Sequence, residues 1–132
     1  MIKLISKLLG KEKVKSDSKP EQRTVESNEP SNENEKVERN LKGMELEKNG
    51  ELDQAIKLYE MNVQEGFDGN HPYDRLAIIY RKQKLYNEEI RVLERAIEVF
   101  SNLKETSSRQ DIDPKLKKFK DRLDKANELS KS

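Results

Sequence analysis

Residues 43–63 read GMELEKNGELDQAIKLYEMNV, and residues 77–97 read AIIYRKQKLYNEEIRVLERAI. A shift of 34 residues aligns small with small and bulky with bulky side chains, so that Gly43 matches Ala77 and Leu46 matches Tyr80. On either side of a short polar break, apolar residues recur every three or four positions, which is the spacing of an amphipathic helix. Each stretch therefore predicts two helices joined by a tight turn.

The small residues of this pattern have a packing role. Antiparallel helices approach closely only where one of them carries a small side chain at the crossing, while bulky side chains fill the space around it. The positions that follow this rule are Gly43, Leu46, Ala55, Tyr59, Ala77, Tyr80, Leu93 and Ala96. Two positions depart from it, since Asn62 is the counterpart of Ala96 and Glu89 is the counterpart of Ala55.

A 34-residue period in helix–turn–helix units resembles the tetratricopeptide repeat family over residues 36–101. The prolines that usually close such repeats are absent near Phe67 and Ser101. The resemblance implies an all-α fold with repeats at 36–69 and 70–103. A terminal repeat needs a cap with a polar outer face, and residues 113–130 predict such a capping helix, with Asp113 as its N-cap and Pro114 in its first turn.

The chain ahead of the repeats has a different composition. Residues 11–35 contain two prolines and many Ser, Asn and Glu residues but only two valines as aliphatic residues, and they predict a disordered linker. Residues 1–10 predict a short basic amphipathic segment that could anchor the chain to a membrane surface or a partner groove. Its apolar side chains are Ile2, Ile5, Leu8 and Leu9, with Leu4 beside them, and Lys3 and Lys7 flank them.

Composition excludes several classes of protein. The chain has no cysteine and one histidine, so disulfides, thiolate zinc sites and multi-histidine metal centres are excluded, and we predict no metal and no cofactor. The 27 basic and 26 acidic side chains give a formal charge of +1, which argues against nucleic acid as the partner. No apolar run reaches the ~20 residues of a membrane span, and Lys3 and Lys7 interrupt any secretory signal. We therefore expect a cytoplasmic protein.

Catalytic groups are sparse in this sequence. His71 stands beside Pro72 at a predicted helix start, where a capping role fits better than that of a general base. Gly66 and Gly69 lack the lysine and the preceding strand of a phosphate loop. The sequence therefore predicts no enzyme.

Surface recognition remains as the predicted function. In tetratricopeptide arrays the first helix of each pair lines a concave face that binds a peptide or helix of a partner protein. The matching positions are Asn40, Met44, Glu47, His71, Asp74, Ile78 and Arg81. Met44 and Ile78 are apolar on an otherwise polar face, which is typical of a contact surface.

Two further possibilities are left open. The first is that the chain is a small regulator that acts at a membrane surface or on nucleic acid through Lys3, Lys7, Lys11, Lys13 and Lys15. The second is self-association through an exposed end of the short array.

Overall fold

A computed structural model describes residues 32–132, and over this range the chain is all-α, with five helices and no strand. The helices are α1 (Glu33–Lys48), α2 (Leu52–Gln64), α3 (His71–Lys82), α4 (Tyr86–Thr106) and α5 (Ile112–Ser130). The predicted fold class is confirmed. The calls on residues 1–10 and on most of 11–35 lie outside the described residues.

The backbone repeats with the period of the sequence. Helices α1 and α3 end at Lys48 and Lys82, and α2 and α4 begin at Leu52 and Tyr86, so both boundaries recur after 34 residues. The turns close in the same way, because the amide of Glu51 donates to the carbonyl of Leu46 over 2.8 Å and the amide of Leu85 donates to that of Tyr80 over 2.8 Å. The residue before each of these amides has positive φ, at Gly50 (82°) and Lys84 (61°).

The helices form two layers. Each helix packs against its neighbour in sequence, and α2 also packs against α4. Side chains join α1 to α3 and α3 to α5, so α1, α3 and α5 lie along one side and α2 and α4 along the other. Among the repeat positions, Leu46 is partly buried at the edge of the core and the other seven are buried.

Three polar contacts of the second hairpin, α3–α4, hold it to the first, α1–α2. Arg75 of α3 binds Glu47 of α1. Arg91 of α4 binds Glu60 of α2 over 2.5 Å. Arg95 of α4 donates to the carbonyls of Val63 and Gln64 over 3.1 and 2.9 Å, and it thereby satisfies acceptors that the end of α2 leaves open.

The two departures from the small-residue pattern are buried and hydrogen-bonded. Asn62 has no exposed surface, accepts from Arg39 over 2.8 Å and donates to the carbonyl of Lys36 over 2.9 Å. Glu89 is 1% exposed and binds Arg81 of α3, with Nε 2.8 Å from its Oε2. In each hairpin an arginine of the first helix therefore supplies a partner to a polar group of the second, as burial requires.

Three predicted boundaries need correction. Helix α1 begins at Glu33 and not at residue 36, because Asn32 and Glu35 form a capping box with each other's amides. Helix α4 continues to Thr106, beyond the predicted end of the second repeat at 103, and its Leu103 packs against the core.

Helix α5 begins at Ile112, with Asp111 as the N-cap residue, so Asp113 was wrongly predicted as the N-cap. Asp111 binds the side chains of Arg109 and Lys115 at 2.9 and 2.7 Å, and these charge-assisted bonds hold the pKa of its carboxyl below the usual range. The connection from α4 is consequently only residues 107–111.

Helix α5 covers the second hairpin through an aromatic cluster. The ring of Phe119 packs edge-on against Phe100 with centroids 5.2 Å apart, and against Tyr73 at 6.0 Å. Tyr73 also donates its hydroxyl to the carbonyl of Phe67 over 2.7 Å. The three rings are buried, so α5 belongs to the core of the described chain.

Candidate functional site

The predicted partner-binding positions lie on the side of the protein that α1, α3 and α5 form, which we call the inner surface. All seven fall on α1 or α3: Asn40, Met44, Glu47, His71, Asp74, Ile78 and Arg81. None of them is fully buried. They differ, however, in whether their polar atoms already have partners within the protein.

Glu47 is held in place by two other helices. Its carboxylate accepts from Arg75 of α3 over 3.0 and 2.6 Å and from the hydroxyl of Tyr59 of α2 over 2.7 Å. The hydrogen bond from Arg75 holds the pKa of Glu47 below its usual value, although burial opposes this shift. Burial and Glu47 together raise the pKa of Tyr59. Glu47 therefore joins three helices, which is a structural task.

His71 lies next to this group at the start of α3. Its ring packs edge-on against Tyr59 with centroids 5.7 Å apart, and its Nε2 is buried without a hydrogen-bond partner. Burial lowers the pKa of the imidazole, with Arg75 as a further cause. A second buried atom without a partner is Oδ1 of Asn40. The imidazole is thus held neutral against an aromatic edge.

Arg81 and Asp74 have partners close to their own helix. Arg81 binds the buried Glu89 and also donates to the carbonyl of Arg122 in α5 over 3.3 Å. The other carboxylate oxygen of Glu89, Oε1, is buried without a partner. Asp74 accepts from Asn70 over 2.5 Å. The structure therefore engages Arg81 within the fold.

Ile78 occupies the centre of the inner surface, between two cavities. One cavity, of about 170 Å³, lies towards the α1–α2 turn and includes Glu47, Leu52 and Arg75 in its lining. The other, of about 220 Å³, lies towards α5 and includes Ala77, Glu89 and Arg122. Ile78 and Lys82 line both cavities. Met44 is 43% exposed on α1.

Two cations beside Ile78 were not predicted as site residues. Neither Lys82 nor the guanidinium of Arg122 has an acidic partner among residues 32–132. Lys82 lies four residues after Ile78, on the same face of a helix, so the periodicity of α3 contains the signal that could have found it. Arg122 could not have been found, because the packing of α5 against α3 was unknown.

A larger cavity, of about 400 Å³, lies between α2 and α4 on the opposite layer. Its lining includes Met61, which is 44% exposed, and the arginines Arg91 and Arg95. Both arginines bind groups of α2 and so hold the two hairpins together. Because its charged groups are engaged in this way, this cavity supports a partner site less well than the surface around Ile78.

Searches for other kinds of site give the following findings. Within residues 32–132 no group of three or more His, Cys, Asp or Glu side chains could hold a metal ion. None of the five described helices is long and apolar enough to cross a membrane. The predicted anchor residues Ile2, Ile5, Leu8 and Leu9 lie outside the described part of the chain, so their role stays a prediction, as does action on nucleic acid through the N-terminal lysines.

Comparison with known proteins adds no relative: no family model, no curated protein and no solved structure matches this chain. The resemblance to tetratricopeptide repeats therefore depends on the sequence pattern alone.

Proposed function

We propose that this chain is a cytoplasmic protein–protein interaction adaptor of the tetratricopeptide type. It binds a peptide or helix of a partner protein on its inner surface and has no enzymatic activity. The observation that carries the proposal is the position of Ile78, a half-buried apolar side chain between two open cavities that share Lys82 as a lining residue.

The charges around Ile78 indicate what the partner segment carries. Glu47 and Glu89 are each bound by an arginine, whereas Lys82 and Arg122 have no acidic partner in the described chain. An acidic side chain of a ligand would gain most beside these two cations, since complementary charge fixes the register of a bound segment. We therefore infer a ligand with an apolar side chain at Ile78 flanked by Asp or Glu.

The same surface offers little for catalysis. The only imidazole, that of His71, lines neither of the two cavities beside Ile78. The carboxylate of Glu47 is held in its ionised form by Arg75, which makes it a poor proton donor or acceptor near neutral pH. These features favour binding over chemistry as the role of the surface.

A selection of displayed random peptides against the full chain tests the proposal. We expect enrichment of sequences in which an apolar residue stands next to Asp or Glu. The Ile78→Glu and Lys82→Glu variants should bind a selected peptide at least about tenfold more weakly, the effect of losing one central contact of about 1.4 kcal/mol or more.

The matched controls are Met61→Glu and Lys57→Glu. Both positions are exposed on α2, in the opposite layer, and both controls should bind the peptide like the parent chain. Circular dichroism must show the same helicity for all four variants. Equal weakening by the controls, or full binding by the Ile78→Glu variant, would overturn the proposed contact surface.

A further inference from the structure

Helix α1 exposes a row of apolar side chains, which we call the α1 stripe: Val37, Leu41 and Met44. Their exposed fractions are 46%, 57% and 43%, and their spacing of four and three residues places them on one face of the helix. The opposite face of α1, with Gly43 and Leu46, packs against the core. The stripe therefore has no partner among residues 32–132.

The repeat indicates what such a face does elsewhere in this protein. At the 34-residue offset, Val37 and Leu41 correspond to His71 and Arg75 of α3. Those two residues pack against the preceding hairpin, His71 on Tyr59 and Arg75 on Glu47. The α1 stripe thus occupies the positions at which a repeat receives the element before it, and here these positions are apolar.

The charges beside the stripe favour a basic occupant. Exposed glutamates border it at Glu33, Glu38 and Glu45, and Lys48 is the cation at its end. Lys36 and Lys42 contact Glu33 and Glu45 at 3.5 Å, whereas Glu38 has no partner in the described chain. A second copy of α1 would bring a second acidic border against this one, and an anionic membrane would be repelled by it.

The upstream sequence contains one segment with the complementary character. Residues 2–9 combine five large aliphatic side chains with Lys3 and Lys7. The 21 residues from 11 to 31 separate it from α1, and a coil of that length has an average reach of about 25 Å. The stripe spans only about 10 Å of helix. A tether of this kind gives an effective concentration of the order of millimolar.

We propose that residues 1–10 dock on the α1 stripe of their own chain and take the place of a preceding hairpin. Their aliphatic side chains cover Val37, Leu41 and Met44, and their lysines face the bordering glutamates. This inference does not rest on the proposed function. The docked segment would nevertheless cover Met44 at the α1 edge of the inner surface.

A spin label on the full chain tests the docking directly. The chain has no cysteine, so Ser6→Cys provides one labelling site, on the polar side of the segment between Lys3 and Lys7. With the nitroxide oxidised, we expect loss of the NMR methyl signals of Val37, Leu41 and Met44 relative to the reduced sample. The methyl signal of Met61, equally exposed on α2, should persist.

Two variants and one mixture make the result decisive. Joint Lys3→Glu and Lys7→Glu substitution, or Leu41→Glu at the most exposed stripe position, should restore most of the lost signal intensity. In an equal mixture of isotope-labelled chains without nitroxide and unlabelled chains with it, the signals should be unaffected. Retention of the stripe signals in the singly labelled chain, or their loss only in the mixture, would overturn docking within one chain.

Discussion

Gly43 is the residue at which α1 and α2 approach most closely. A Cβ atom built on it would lie 2.6 Å from Cε1 of Tyr59 and 3.0 Å from its Cζ. The Tyr59 ring cannot move away easily, because it is buried and its hydroxyl is bound to Glu47. A side chain at position 43 must therefore displace a whole helix.

We expect Gly43→Ala to destabilise the protein by about 1 kcal/mol. Alanine gains about 1 kcal/mol over glycine inside a helix, but overpacking of a fixed core costs about 1–3 kcal/mol. Urea unfolding measures the balance. In a Tyr59→Leu background the loss should shrink or reverse, because the ring that the Cβ meets is gone. An equal loss in both backgrounds would show that contact with Tyr59 is not the cause.

The two repeat turns offer an internal comparison of backbone strain. Gly50 and Lys84 occupy the same place in their hairpins with φ of 82° and 61°, a conformation that costs a residue with a Cβ about 1–2 kcal/mol. Lys84→Gly should therefore stabilise the fold by about 0.5–1 kcal/mol after the entropy of glycine is subtracted.

Gly50→Lys, the matched exchange, should destabilise the fold by a similar amount, since no atom lies within 4 Å of the added Cβ and only the backbone conformation matters. Thermal unfolding of both variants compares them. Shifts of the same sign would contradict the argument.

At this scale the sequence predicts the small and bulky positions well, because they follow from a local period. It fails where a polar residue replaces a small one. Glu89 and Asn62 were departures without an explanation, and the arginines that bind them, Arg81 and Arg39, lie on other helices. Arg81 was consequently placed among the contact residues when the packing engages it with Glu89.

Among the elements, α5 contributes most through one side chain. Phe119 is 1% exposed and packs against the rings of Phe100 and Tyr73. Removal of a buried ring costs about 3–5 kcal/mol, which is a large share of the 5–15 kcal/mol that stabilise a typical domain.

We expect Phe119→Ala to lower the unfolding midpoint in urea of the whole described chain and not of α5 alone. Fluorescence of a probe on α5 and circular dichroism should follow one transition. The exposed neighbours Lys118 and Lys120 provide controls, whose replacement by alanine should cost less than about 0.5 kcal/mol. Retention of the parent midpoint by the Phe119→Ala variant would mean that α5 is not part of the core.

Helix boundaries were predicted less well than the existence of the helices. The capping pair Asn32 and Glu35 has the spacing of a capping box, but the polar composition around it masked the signal. Asp113–Pro114 resembles a helix start, yet Arg109 and Lys115 fix the chain around Asp111 instead. Such ends depend on side-chain pairs that form only when the connection is already folded.

For the whole molecule, the lone histidine gives a pH dependence that can be measured without interference. His71 packs against Tyr59 and lies near Glu47, Asp74 and Arg75. Burial lowers its pKa below the ordinary 6.5, so the unfolded chain binds the proton more readily. Its contribution to stability is therefore fully present above pH 6.5 and is lost as the pH falls towards the folded pKa.

We expect the free energy of unfolding in urea to decrease from about pH 7.5 to about pH 5.5, and to decrease less in a His71→Gln variant. Glu47 does not contribute in this window, because its pKa lies below 4.5. An NMR titration of the single imidazole gives the folded pKa independently. The same pH slope in both chains would show that the histidine is not the group responsible.

The arrangement of the molecule was predicted only in part. The period of 34 residues fixes which helices pair, and five helices follow in order. Periodicity does not say which apolar face remains uncovered, and α1 illustrates this, since Val37, Leu41 and Met44 read as core positions but are exposed. The site was likewise predicted around Ile78, whereas Lys82 and Arg122 become visible only from the packing of α3 and α5.

The arginines that join the hairpins also limit how far this architecture can grow. Arg75, Arg91 and Arg95 belong to the second hairpin, and the first hairpin has Leu41, Lys57 and Met61 in their places. A copy of the protein added in front of α1 would therefore find none of these polar latches. Head-to-tail stacking of copies, the route by which unclosed contacts build filaments, thus lacks the bonds that hold the hairpins together within one chain.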